Sequence, residues 1–135
     1  MKNRKDSETD LKALHIALGK LFYAIAMADN KISPEEIAIL KVSILPNWKL
    51  VNSSEPDFDG QHIILSIFTQ LEHENAKSPK CFADFKAFYQ KHKALFHIEL
   101  KQLIWHTVQA IASSYARKNK SELVLLAKLK ILFLS

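Results

Sequence analysis

Residues 11–28 read LKALHIALGKLFYAIAMA, and this stretch decides the fold class of the chain. Its apolar residues recur at alternating steps of three and four, which places them on one face of an α-helix. The residues of this apolar face are Leu11, Leu14, Leu18, Leu21, Ile25 and Ala28. We therefore predict a long helix from about Asp10 to Ala28, with Asp10 as its N-cap and a flexible polar tail over residues 1–10 before it.

A second helix is predicted soon after the first, from the segment Ser33-Pro34-Glu35-Glu36. Ser33 suits the N-cap, and Pro34 suits the first helical position, where a missing N–H costs nothing. Glu36 stands three residues after the cap and completes a capping box. This helix should end near Pro46, and residues 47–59 should form one long irregular connection.

Four further helices are predicted along the rest of the chain. One is expected over about 64–75, and the others start at Ser78, near Leu95 and near Lys120. With 2 glycines and 4 prolines, the chain of 135 residues has too few turn residues for a β-sandwich or a β-barrel. We expect an all-α, single-domain bundle of about six helices that occupies residues 11–135.

The two halves of the chain resemble each other when they are aligned at an offset of 86 residues. The Ala-Ile-Ala segment at 24–26 then matches the same three residues at 110–112, and Glu36 matches Glu122. Because a capping glutamate matches as well as a core segment, we predict a duplication with two pseudo-repeated halves. The alternative is that Ala, Ile and Leu coincide in two unrelated amphipathic helices.

Charge and composition argue against several classes of function. The formal net charge is +5, but the basic residues are mostly scattered lysines, so nucleic acid is not an expected partner. Two glycines cannot build a Gly-rich phosphate loop, and the apolar stretch 123–134 is shorter than the roughly 20 residues of a membrane span. The single cysteine, Cys81, suits a reducing compartment. We expect a cytoplasmic protein that is not an enzyme, binds no cofactor and does not insert into membranes.

The residues that could carry a function are the acids Asp29, Glu35 and Glu36 around the first turn. They do not form an EF-hand. Placing Glu36 at the twelfth loop position puts Ile25 and Met27 at the first and third positions, where calcium needs oxygen ligands. Capping accounts for Glu36, whereas Asp29 either accepts hydrogen bonds in an Asx-turn or belongs to a binding surface. No two of the six histidines have the i, i+4 spacing of a helical zinc site, so we expect no metal.

The segment Ala26-x-Ala28-Asp29-x-x-Ile32-Ser33-x-Glu35-Glu36 resembles the signature of TerB-like proteins. This is the all-helical tellurite-resistance family, to which the N-terminal-type domain of the co-chaperone DjlA is related. The likeness extends loosely over residues 11–134 and is specific over residues 22–40. It implies a bundle of two similar halves that acts as a non-enzymatic, cytosolic stress-response module. It also implies an acidic surface that binds a metal ion or a protein partner.

The chain departs from the family pattern in both turns. The glycine that usually follows the first aspartate is Asn30, and the position that matches Asp29 in the second half is Tyr115. The second turn is basic, and its basic residues are Arg117, Lys118 and Lys120. A metal site that needs acids from both turns would lack half of its ligands. We therefore predict a protein-interaction module with one acidic surface (Asp29, Glu35, Glu36) and one basic surface. The alternative is a divalent-cation sensor that uses the acidic turn.

The last predicted helix is apolar around almost its whole circumference. Between residues 123 and 134, Lys128 and Lys130 are the only polar residues. A helix on the surface of a bundle normally has a polar side. We expect this helix to lie at the centre of the bundle or in the interface of a homodimer, because a large apolar patch is rarely left exposed on a monomer.

Overall fold

The computed structural model describes residues 4–28, 34–44, 60–113 and 120–135. These ranges contain six α-helices and no strand, so the all-α prediction is confirmed. The helices are α1 (Arg4–Ala26), α2 (Pro34–Ile39), α3 (Gly60–His73), α4 (Ser78–Lys91), α5 (Ile98–Ser113) and α6 (Lys120–Leu134). Within the same ranges, no helix is long and apolar enough to cross a bilayer. Ser33 and the predicted connection over 47–59 lie outside the described residues.

Helix α1 begins at Arg4, six residues earlier than predicted. Residues 4–10 are therefore helical, and Asp10 lies inside the helix instead of capping it, while the flexibility predicted for residues 1–10 stays a prediction. The segment contains no Gly or Pro, so nothing in it stops a helix from extending backwards from its packed part.

Helix α1 is the central element of the bundle, in contact with α3, α4, α5 and α6. Its residues 21–26 are all buried, so this part of the helix is enclosed on every side. Of the two predicted positions of α6, the centre of the bundle is wrong, because Leu134 at its end is 79% exposed, and the homodimer interface stays a prediction. Both segments are apolar all round, but Lys128 and Lys130 interrupt α6, whereas residues 21–26 carry no charge that would have to be buried.

The C-terminal half of α1 is fixed against α3 and α4 by close packing and two hydrogen bonds. A methyl group at Gly19 would overlap Ile67, so glycine allows α1 and α3 to approach closely here. The Tyr23 hydroxyl donates to the Ala76 carbonyl at 2.8 Å, and the buried Ser78 hydroxyl donates to the Ala24 carbonyl at 2.7 Å. The end of α1 is therefore held beside the start of α4.

An aromatic cluster joins α4 to the end of α6. Phe82, Phe85 and Tyr89 recur at helical spacing, and the face of α4 that carries them is buried. The Tyr89 ring packs against Phe96 and Phe133, with centroid separations of 4.9 and 5.4 Å. Because Phe133 lies in the last turn of α6, these contacts fix the C-terminus of that helix on the bundle.

The helices after the two turns start at equivalent places. Helix α2 continues as a π-helical turn over Leu40–Ile44, so the helical segment ends before Pro46, as predicted. The offset of 86 residues pairs Pro34, the first residue of α2, with Lys120, the first residue of α6. It also pairs Leu40 with Leu126, and both are buried. The paired helices differ in length, and the duplication stays a prediction.

Candidate interaction surface

One side of α6 packs on the bundle and holds the helix in place. Its buried residues are Leu125, Leu126, Leu129 and Leu132. This side contacts α1 and α5. At the C-terminus, the Lys101 ammonium of α5 donates to the Phe133 carbonyl at 3.0 Å. A cation at the end of a helix complements the helix dipole, so α6 is anchored by burial along its length and by charge at its end.

The other side of α6 is exposed and apolar. Its large exposed residues are Leu123, Val124, Ile131 and Leu134, with 48%, 44%, 68% and 79% of their surface exposed. Successive residues of a helix are rotated by about 100°. On that basis, four apolar residues point away from the bundle at steps of three, four and three, the heptad spacing of a coiled-coil seam. We call these residues, Val124, Ala127, Ile131 and Leu134, the outward stripe.

A lysine lies on each side of the outward stripe. In the heptad with Val124 and Ile131 at a positions, Lys128 takes an e position and Lys130 a g position. Both side chains are exposed, and neither forms an ion pair with a residue that the structure describes. Positions e and g border a coiled-coil seam and set the choice of partner through charge. The stripe is therefore apolar along its middle and positively charged at both edges.

An open apolar groove of about 350 Å³ continues from one edge of the stripe. It lies where the end of α1, the start of α4 and the first half of α6 meet. Its lining residues are Ala28, Ser78, Pro79, Phe82, Val124, Leu125 and Lys128. Val124 and Lys128 belong to both features, so stripe and groove form one continuous surface. We call the two together the α6 surface.

The structure describes few of the residues that the sequence singled out. Glu35 is exposed in the first turn of α2, and Glu36 follows it in the same helix. Lys120 is the first residue of α6. Asp29, Arg117 and Lys118 lie outside the described residues, as do the side chains of Glu36 and Lys120. The acidic and basic surfaces therefore stay predictions. Ala28, which precedes Asp29 in the chain, lines the groove.

The buried ionisable groups belong to the core. Cys81 is 3% exposed, and burial raises the pKa of its thiol, which lowers the fraction of reactive thiolate. Burial likewise raises the pKa of Tyr23, whose hydroxyl is used in the hydrogen bond to Ala76. Among the described residues, no three His, Cys, Asp or Glu side chains are grouped closely enough to hold a metal ion.

Comparison of the chain with models of protein families, with curated proteins and with solved structures finds no match. The candidate surface therefore rests on geometry. The apolar circumference of residues 123–134 is visible in the sequence, but the side of the helix that stays outside was not predicted from it. The heptad spacing of the outward stripe was the signal that could have found it.

Proposed function

We propose that the chain is a non-enzymatic protein-interaction module that binds a helical segment of another protein on its α6 surface. The observation that carries this proposal is the outward stripe itself. Its residues lie opposite the side of α6 that is already buried, so they do not contribute to the core that the described residues form. A contiguous exposed apolar patch is typical of a protein-interaction site, whereas single exposed apolar residues are common on any protein surface.

A helix is the occupant that this geometry favours. The stripe is straight, because it follows one helix, and its heptad spacing matches the spacing of side chains on a second helix packed alongside. Fully burying one Ile or Leu side chain contributes about 1.5–3 kcal/mol. Covering Ile131 and Leu134, which expose 68% and 79% of their surface, thus supplies a substantial part of the binding free energy.

The TerB-like resemblance supports the same class of function. We propose on this basis that the module acts in a cytosolic stress response. The predicted acidic surface of Asp29, Glu35 and Glu36 would provide a second contact for the partner. Asp29 directly follows Ala28, which lines the groove, so an acidic contact there would extend the α6 surface along the chain.

The test is differential capture with two matched variants. Ile131→Asp places a charge in the middle of the outward stripe. Ile98→Asp is the control, because Ile98 is also 68% exposed and opens α5 outside the α6 surface. We expect proteins that the wild type and Ile98→Asp capture from native cytosol to be lost with Ile131→Asp. A captured protein, purified and titrated alone, should bind Ile131→Asp at least about tenfold more weakly, the equivalent of about 1.4 kcal/mol.

Circular dichroism shows whether both variants keep the wild-type fold. Equal binding of a purified partner to the wild type and to Ile131→Asp would reject the α6 surface as the contact site.

A further inference from the structure

We propose that the partner helix of the α6 surface carries acidic residues on both sides of its own apolar stripe. This inference rests on the proposed function and adds the chemistry of the partner. It follows from the lysines at the two edges of the outward stripe. Lys128 and Lys130 lie on opposite edges, about 160° apart around the helix, so each edge of the contact presents one positive charge.

Nothing on α6 itself offsets this positive charge along the stripe. Glu122 is the last acidic residue of the chain, and it precedes the whole stripe. The described residues provide no carboxylate within ion-pair distance of Lys128 or Lys130. Glutamate or aspartate on the partner at the positions facing these lysines would form the e–g′ ion pairs that determine partner choice in coiled coils.

The same charges disfavour a second copy of this chain as the occupant. In a parallel pairing, each g residue faces the e′ residue five positions further on, so Lys130 faces Ser135 and Leu123 faces Lys128. In an antiparallel pairing, positions of the same kind meet, and lysine faces lysine. Neither arrangement supplies a side-chain carboxylate, and each copy adds a net charge of +5.

The length of the stripe favours a small helical partner as well. From Val124 to Leu134 the stripe extends about 15 Å, at 1.5 Å per residue. A stable protein–protein interface buries about 800 Å² on each side. A single short helix packed on the stripe buries less than this area, so the charged edges and the adjoining groove would have to contribute to the interface.

The apolar part of the stripe also specifies size. Ala127 stands between the larger Val124 and Ile131 and leaves a shallow depression in the seam. Knobs-into-holes packing would place a large side chain of the partner, such as Leu, over Ala127. The partner is therefore expected to carry a bulky residue at the middle of its apolar stripe.

Two synthetic peptides test the charge preference. Each has three heptads, about 21 residues, with Ile and Leu at the a and d positions; one has Glu at e and g, and the other has Lys there. Fluorescence anisotropy at low salt should show the Glu peptide binding about 5- to 10-fold more tightly than the Lys peptide, with a smaller difference at high salt. In the double variant Lys128→Glu/Lys130→Glu this preference should reverse.

The matched control is Lys86→Glu/Lys91→Glu, which makes the same change in net charge at two exposed positions of α4. It should keep the preference for the Glu peptide. Ile131→Asp should weaken the binding of both peptides, and Ile98→Asp should leave the binding of both unchanged. Equal binding of the two peptides, or binding of neither, would overturn the proposed charge of the partner.

Sedimentation of the free chain separates the remaining outcomes. A dimer at micromolar concentration that Ile131→Asp dissociates would assign the stripe to a second copy and overturn the inference. If a natural partner requires Ile131 but the peptides show no charge preference, the proposed interaction module is supported and the proposed acidic partner is rejected. If no captured partner depends on Ile131, both proposals fail.

Discussion

Among the described histidines, His15 is the most deeply buried, with 1% of its surface exposed. Its Nδ1 donates a hydrogen bond to the Leu11 carbonyl at 2.8 Å. Burial lowers the pKa of the imidazole from its ordinary 6.5, and the bond to Leu11 offsets part of this effect. The burial of His15 was not predicted, because the spacing between histidines indicates only whether two of them could bind one metal ion. Its position four residues after Leu11 and three before Leu18, beside the apolar face of α1, was the available signal.

This burial predicts that the stability of the protein depends on pH. In the unfolded chain the His15 pKa returns to about 6.5, above its value in the fold, so acid protonates the unfolded state first. The free energy of unfolding should therefore be at its full value above about pH 6.5. It should decrease as the pH falls from there through the pKa of the folded state. Urea denaturation at a series of pH values measures this dependence.

The variants His15→Gln and His106→Gln identify the residue responsible. His106 is exposed on α5, so its variant should retain the pH dependence of the wild type. His15→Gln should flatten it. An unchanged slope in His15→Gln would mean that another group links protonation to folding.

At the scale of elements, the two apolar sides of α6 should contribute differently to the free energy of unfolding. Leu129 is fully buried, whereas Leu134 on the same helix is 79% exposed. We expect Leu129→Ala to lower the free energy of unfolding by about 2–5 kcal/mol, because it removes buried methyl groups and leaves a cavity. Leu134→Ala, the matched substitution on the exposed side, should change it by less than about 0.5 kcal/mol in the monomer. Urea denaturation of the two variants compares them directly, and similar losses would contradict the orientation of α6.

The helices differ in how well local sequence predicted them. Helix α4 begins at Ser78, the residue that the Ser-Pro pair indicated, because proline is favoured in the first turn and disfavoured further inside. Helix α1 extends six residues beyond its predicted start, because residues 4–10 are polar but contain no helix breaker. The polarity of residues 4–10 therefore did not predict where α1 begins, whereas the restricted backbone of Pro79 did predict where α4 begins.

At the scale of the whole molecule, the acidic turn leads to a prediction about divalent cations. Glu35 and Glu36 are adjacent in the sequence, and neighbouring positions of a helix are rotated by about 100°, so we predict that they do not form a six-oxygen shell with Asp29. A cation that binds only the folded state stabilises it by about 1.4 kcal/mol at ten times its Kd. We expect no change in melting temperature when micromolar calcium, magnesium or zinc is added to chelator-treated protein. A shift of several degrees that Asp29→Asn abolishes would instead favour the cation sensor.

The candidate site was less predictable than the fold. Some of the charged residues that stood out in the sequence, such as Asp29 and Arg117, lie outside the described residues, so their roles stay predictions. The α6 surface combines Ala28 from the turn after α1 with Pro79 of α4 and Val124 of α6, which are far apart in the chain. A groove of this kind has no local sequence pattern, because it exists only where packed helices leave space between them.

The sequence by itself determined that the chain forms helices, where several of them begin, and which face of α1 and α4 is buried. These features depend on residues a few positions apart, whose spacing acts through the geometry of a single helix. The tertiary structure decided that α1 occupies the centre and that α6 keeps one apolar side outside. Residues 21–26 of α1 and residues 123–134 of α6 are both apolar around the helix, so local spacing cannot predict which of the two segments is enclosed. The ranking depends on which helix the others can surround, and the charges of Lys128 and Lys130 make α6 the costlier one to enclose.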